Sequence, residues 1–289
     1  MAGGGRAAGG RCLLMAAALA LAAALSYGLS DFFGGILSKT RSVWMVTTAS
    51  QLTAAAATAI IALAAPGEPG PADFVWGAAA GIAGAIGISA LYRGLSRGRM
   101  GVVAPISGTG AALVPMIVGL ASGDNPSPLA WTGIVLAFPA IILVPQAGGE
   151  RAPTATGAGY GVVAGLGFGA LFALIGQIGT DAGFLPLALT QLVVAATVAS
   201  VAVALHQPWA PRGRGLAPVF AFGLLGTAAL VCFLLATRAG MLTIVSVIAA
   251  LYPASTVAMA AIVLRERIGR VQSLGLGLAA IAVVLVTVG

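Results

Sequence analysis

Asp31 is the only charged residue in the stretch AALSYGLSDFFGG (23–35), where its neighbours are apolar, small or hydroxyl-bearing. A carboxylate in such company can accept a proton or bind a cationic group. Tyr27, four residues earlier, would share its helical face and add a phenol. Other polar groups recur in equally apolar surroundings. Tyr92 and Arg93 close one run, and a guanidinium there could grip a carboxylate or phosphate in two-pronged fashion, or simply snorkel to the membrane edge. Ser107 and Thr109 stand between Pro105 and Pro115, and Ser246 and Tyr252 stand just before Pro253. An interior proline frees a backbone carbonyl and bends a helix, which either lines a cavity or is only a packing kink. Phe168 adds an aromatic wall, while Gln51, Gln177 and Gln191 read as weaker candidates that bond a neighbouring helix. No Walker A loop, HExxH or GxSxG occurs, and the single histidine, His206, reads as an interfacial loop residue. The chain is therefore not expected to be an enzyme, nor to need a cofactor.

What these groups do depends on the medium around them. Of 289 residues, 60% are hydrophobic and 7% charged, against roughly 25% charged in soluble domains. The mean hydropathy is +1.06. Uncharged runs cover 13–29, 102–123, 157–180 and 244–264, near the roughly 20 residues that cross a bilayer. Spans are expected near 13–37, 43–64, 74–95, 102–120, 129–145, 157–179, 184–205, 216–236, 243–264 and 271–288. None alternates like a barrel strand, so the spans are helices. The basic start and small residues before Leu25 resemble a secretory signal, but the apolar run continues to Leu37, far enough to span. With the first helix centred near Leu25, Asp31 lies roughly 9 Å from the midplane, where a carboxylate costs about 2.5–3.5 kcal/mol. The expectation is that Asp31 faces protein or water. The alternative ends the helix near Leu29 and pairs a solvated Asp31 with Lys39 or Arg41.

The two halves repeat. Asp124 and Glu266, Gly133 and Gly275, Leu136 and Leu278, and Gly98 and Gly240 each stand 142 residues apart, and Gly28 and Gly169 stand 141 apart. Five spans per half is an odd number, so the second half enters the membrane upside down, an arrangement common in secondary transporters. Loop charge agrees. Lys39, Arg41, Arg93, Arg97, Arg99, Arg151, Arg212, Arg214, Arg265, Arg267 and Arg270 fall on one side; Arg6, Arg11 and Arg238 fall on the other. The positive-inside rule makes the first side cytoplasmic and puts both termini outside, although Arg6 and Arg11 pull the other way. The net charge of +7 thus sets topology, and no nucleic-acid partner is expected. Cys12 and Cys232 are not expected to pair or to hold a metal. Gly157, Gly161, Gly165 and Gly169 recur every fourth residue and predict a close helix contact; Gly77 and Gly81 do the same.

Three stretches carry a family resemblance: Tyr27-Gly28 in the first helix, ALYRGLSRGRMGVVAPISGTGAALVP (90–115) and LYPASTVAMAAIVLRERIGRVQSLGLGLAAIAVVLV (251–286). Together they resemble the EamA-type members of the drug/metabolite transporter superfamily, although many members have Trp-Gly where this chain has Tyr27-Gly28. The resemblance implies an all-α membrane protein of ten transmembrane helices in two inverted five-helix repeats, 13–145 and 157–288. It also implies a multi-pass protein of the cell membrane that exports a small metabolite or drug by alternating access. Asp31 is not a general family feature, so proton coupling through it is an expectation from the residue alone. The lining residues expected are Tyr27, Asp31, Tyr92, Arg93, Ser107, Thr109, Phe168, Ser246 and Tyr252. Asp124 and Glu266 read as loop caps or as gating partners. The partners expected are membrane lipid and the small-molecule substrate, with a homodimer left open. An uncoupled exchanger and a non-transporting partner subunit are the rival readings.

Overall fold

Lipid offers backbone groups no hydrogen bonds, so a chain this apolar must satisfy them within helices. The computed structural model describes residues 3–38, 40–97, 100–146, 155–211, 216–265 and 267–288. The helices are α1 (Gly3–Ser38), α2 (Val43–Ala64), α3 (Pro71–Arg97), α4 (Met100–Ala121), α5 (Pro128–Leu143), α6 (Ala155–Ile175), α7 (Leu185–Ala204), α8 (Ala217–Ala239), α9 (Leu242–Ala249), α10 (Tyr252–Val263) and α11 (Arg270–Val288). Among the described residues, nine spans are long and apolar enough to cross a membrane, with α9 and α10 together forming one of them, Leu242–Val263. The 16-residue α5 is shorter but equally apolar.

One span differs from the sequence expectation. The continuous ninth helix expected over 243–264 is broken at Ala250–Leu251. Pro253 has no N–H to give the carbonyl one turn back, and the turn tightens instead: Leu251 donates to Ile248 at 3.1 Å and Ala254 to Leu251 at 2.9 Å. Pro105, Pro115 and Pro139 lie inside unbroken helices, so proline alone does not decide the break.

Helices pack mainly across the halves rather than within them. α1 lies against α8, α9 and α10, and α6 lies against α3 and α4; α3 lies on α7 as α8 lies on α2; α2 pairs with α7, and α5 with α11. Exchanging α1–α5 for α6–α11 leaves this pattern unchanged, so the two repeats interlock about a pseudo-two-fold axis.

The ends show the inversion directly. Asp73 at the start of α3 accepts the Gly179 N–H just past the end of α6 at 2.8 Å. α3 therefore begins where α6 ends, and the two run antiparallel. Thr190 near the start of α7 donates to Gly77 near the start of α3 at 2.9 Å, so these two run parallel. On the opposite face, Ser42 donates to Pro208 at 2.7 Å, joining the loops after α1 and α7. One face thus carries Glu68, Asp73, Asp124 and Asp181 and is called the acidic face. The other receives the loops rich in lysine and arginine and is called the basic face.

The glycine stripe of α6 lies on α4. A Cβ at Gly161 would stand 3.1 Å from the Val103 carbonyl, and one at Gly169 would stand 2.6 Å from the Gly110 carbonyl. A Cβ at Gly165 would stand 3.0 Å from the Gly110 Cα and 3.1 Å from the carbonyls of Ile106 and Ser107. Gly157 is buried in line with them. Backbone meets backbone here, so even one methyl forces a shift. Gly165→Ala is expected to destabilise the protein by about 1–3 kcal/mol, read as a lower melting temperature of the purified chain in detergent.

Candidate functional site

The repeats meet around a run of aromatic rings. Tyr27 of α1 stands edge-on to Phe172 of α6 at 5.7 Å between centroids, and its ring lies 6.4 Å from that of Tyr252 at the start of α10. Phe172 continues to Phe233 of α8 at 4.6 Å. Rings from α1, α6, α8 and α10, and so from both repeats, form one continuous run. Two hydroxyls fix the α1–α10 register: Ser255 donates to the Ala24 carbonyl at 2.9 Å and Thr256 to the Gly28 carbonyl at 3.1 Å. Gly28 lets α10 approach, since a Cβ there would overlap the Ser255 hydroxyl and stand 2.6 Å from the Tyr252 carbonyl.

Asp31 lies one turn from Tyr27 toward the basic face. α1 continues through it to Ser38, so the reading that ended the helix near Leu29 does not hold. Asp31 is exposed, on a helix that packs against α8, α9 and α10. One helical turn away, the Tyr27 ring neighbours that of Tyr252. Among the described residues Asp31 has no hydrogen bond and no ion pair. The Tyr27 hydroxyl is likewise buried without a partner.

The other sequence candidates divide. Ser107 is fully buried on α4, with its hydroxyl unpartnered. Thr109 turns back to the Pro105 carbonyl at 2.8 Å, and Ser246, fully buried, to the Thr243 carbonyl at 3.1 Å. Phe168 of α6 lies against α3, its ring 3.0 Å from where a Gly87 Cβ would be. Arg93 is exposed near the basic-face end of α3 and has interactions of its own. The Tyr92 side chain, Lys39 and Glu266 lie outside the described residues. Phe172 and Phe233 were not singled out from the sequence; one helical turn from Phe168 was the only signal for the first.

The acidic face is stitched shut. The Asp124 carboxylate accepts the Thr243 N–H at the start of α9 at 2.8 Å, and the Thr243 hydroxyl donates to Met116 of α4 at 3.3 Å. Arg238 donates to the carbonyls of Gly179 and Gly183 at 3.0 and 2.9 Å, with its guanidinium 5.7 Å from the Phe184 ring centroid. Every residue of α9 is buried. In α10 only Pro253 is, and α4, which packs closely on α9, has no comparable contact with α10. The broken span is thus sealed on its acidic-face half and parted from α4 on its basic-face half. Among the described residues, no group of three or more His, Cys, Asp or Glu could hold a metal.

A model of the EamA-like transporter family matches residues 14–145 and again residues 155–288. One solved structure, described only as a crystal structure of a protein, superposes with a TM-score of 0.75, at 14% identity and over 96% of each chain. At that identity it shows the fold alone. No curated protein matches the chain.

Proposed function

The chain belongs to the EamA-like transporter family, and from that membership we propose that it is a secondary active carrier of the cell membrane that exports a small metabolite or drug by alternating access. The observation that carries the proposal is Asp31: an exposed carboxylate inside the first span, one turn from Tyr27 and without a partner among the described residues. Such a group is expensive unless it works, because a charge in a low-dielectric interior otherwise needs a partner. A proton gives it one on part of the cycle, which couples transport to a proton gradient. The lipid around the bundle and the substrate in the cleft are the partners this reading needs.

The asymmetry of the broken span supplies the moving part. In this reading the acidic face, stitched by Asp124 and Arg238, is the closed one, and the cavity opens toward the basic face, which the positive-inside rule places in the cytoplasm. Asp124 is the latch, since its carboxylate holds the first turn of α9 to α4. Asp124→Ala removes a charge-assisted bond worth about 1.5–3 kcal/mol. It is expected to shift the carrier toward acidic-face-open forms, read as at least about tenfold faster labelling of a cysteine placed at Thr243 from that side.

Reconstitution tests the function itself. Purified protein in liposomes is expected to give saturable counterflow of at least one compound found by thermal-shift screening of amino acids, sugars and cationic drugs. Flux indistinguishable from empty liposomes for every stabilising compound would favour the non-transporting partner subunit. Saturable flux indifferent to a pH gradient would favour the uncoupled exchanger.

A further inference from the structure

Where the α1–α2 loop of the first repeat meets the α7–α8 loop of the second, the basic face holds a cavity of about 490 Å³. Arg41, Ser42 and Met45 line one side of it, and Gln207 and Trp209 the other. The Ser42 hydroxyl makes no capping bond to α2 and instead donates to the Pro208 carbonyl at 2.7 Å, which fixes the two walls together. The second wall is built by a turn past the end of α7. His206 takes a left-handed backbone with φ of 53°, and the Gln207 N–H returns to the Ala202 carbonyl at 2.8 Å. That conformation strains a residue with a Cβ and sets the direction in which Gln207 and Trp209 leave the helix. Lys39 and Arg41 stand in one loop and Arg212 and Arg214 in the other, while no acid occurs between Asp31 and Glu68 or between Asp181 and Glu266. The spans Val43–Ala64 and Leu185–Ala204 begin and end at this level, so the cavity lies at the depth of lipid headgroups. Toward the membrane middle, Leu52, Ala56, Ile60 and Leu63 follow Met45 on one face of α2, and all four are exposed.

We propose that this cavity binds the phosphate headgroup of an anionic glycerophospholipid from the basic-face leaflet, with the acyl chains laid along the exposed face of α2. The Arg41 guanidinium presents its N–H donors in a fork that matches phosphate, and it has enough of them to keep the interaction it already makes. The Trp209 indole adds an N–H and a ring suited to the membrane–water boundary. Charge and shape together select the class. A zwitterionic headgroup would bring a further cation among loops that are already basic. A neutral lipid would bring no charge to the guanidinium. A soluble phosphate would meet the donors but make no use of the apolar stripe beside them. The positive-inside rule puts this face in the cytoplasm, where basic pockets between spans meet anionic lipid. One wall of the cavity belongs to each repeat, so the bound headgroup ties the repeats together at this face.

The test titrates lipid onto the full-length chain in a neutral detergent, counts bound lipid by native mass spectrometry and follows the melting temperature. Dioleoylphosphatidylglycerol is compared with dioleoylphosphatidylcholine, glycerol phosphate and inorganic phosphate. Saturable binding of phosphatidylglycerol is expected, at least about tenfold tighter than any of the other three, with a rise in melting temperature. Arg41→Gln is expected to weaken it at least about tenfold, and Arg41→Lys, which keeps the charge and loses the fork, to fall between that variant and the parent. Trp209→Leu also weakens it. Arg267→Gln removes one charge from the same face but outside the cavity, and is expected to bind as the parent does. If Arg41→Gln gives no folded protein, Trp209→Leu and Arg41→Lys set against Arg267→Gln decide the matter. Phosphatidylcholine binding as tightly as phosphatidylglycerol overturns the proposal. So does an Arg267→Gln loss equal to that of Arg41→Gln, which would leave only a general attraction of the face for anions. Glycerol phosphate or inorganic phosphate binding as tightly as the lipid would give the cavity to a soluble anion and overturn it as well. The measurement needs no flux, so its outcome is separate from that of the carrier reading.

Discussion

Gly28→Val is expected to leave little or no folded protein. At this position α1 and α10 touch with no side chain between them. A new Cβ would collide with the Ser255 hydroxyl, which can rotate away, and with the Tyr252 carbonyl at 2.6 Å, which cannot. Relief requires α10 to move off α1, and that motion also breaks the hydroxyl bonds from Ser255 to Ala24 and from Thr256 to Gly28. Overpacking costs about 1–3 kcal/mol or somewhat more, and each lost buried bond adds about 1 kcal/mol. The sum approaches the whole of a typical folding stability of about 5–15 kcal/mol. The repeat-related contact is Gly169 against the Gly110 carbonyl, also at 2.6 Å, so Gly169→Val is expected to fail in the same way. The measurement is the monodisperse yield in detergent, compared with Gly34→Val on the same helix, where a Cβ would meet only the Phe222 ring at 3.2 Å.

Asp31→Asn is expected to abolish accumulation while preserving the fold. The side chain has no hydrogen bond or ion pair to lose among the described residues, so the amide fits without breaking anything. An amide neither binds nor releases a proton, so the gradient loses its handle. A one-unit pH gradient is worth about 1.4 kcal/mol and sustains roughly tenfold accumulation at one proton per substrate. For the parent protein that accumulation is expected across reconstituted liposomes; for Asp31→Asn the ratio falls to about one. Asp31→Glu is expected to retain part of it. Accumulation by Asp31→Asn equal to the parent's would move the coupling to another group.

Much of this was legible in the sequence because lipid imposes simple rules. A run such as 157–180 without a charge has to be a span, and two halves offset by 142 residues with odd span counts have to be inverted. Asp31 stood out because its cost is a property of its surroundings along the chain, and Tyr27 followed from helical period. The period of the α6 glycines announced a close contact, but not that α4 was the partner. What the sequence hid is tertiary. Phe172 and Phe233 look like any phenylalanine in an apolar run, because lipid and protein core favour the same residue. The bond from Thr243 to Asp124 spans 119 residues, beyond any local pattern. The break at Ala250–Leu251 needed more than Pro253, since Pro105 and Pro115 leave α4 whole. At Pro253 the break places Tyr252 beside Tyr27 and lets the two halves of the span pack differently.

On the carrier reading, Asp31 lines a water-filled cavity open on one face. The most direct measurement places a cysteine there, as Asp31→Cys in a background carrying Cys12→Ser and Cys232→Ser. A membrane-impermeant thiol reagent is then applied to each side of sealed, oriented vesicles. Rapid labelling is expected from the basic face, little from the acidic face, with protection by any compound that stabilises the parent protein. A cysteine at that position that resists the aqueous reagent from both faces, while a lipid-soluble reagent modifies it readily, would place Asp31 against lipid and contradict the account.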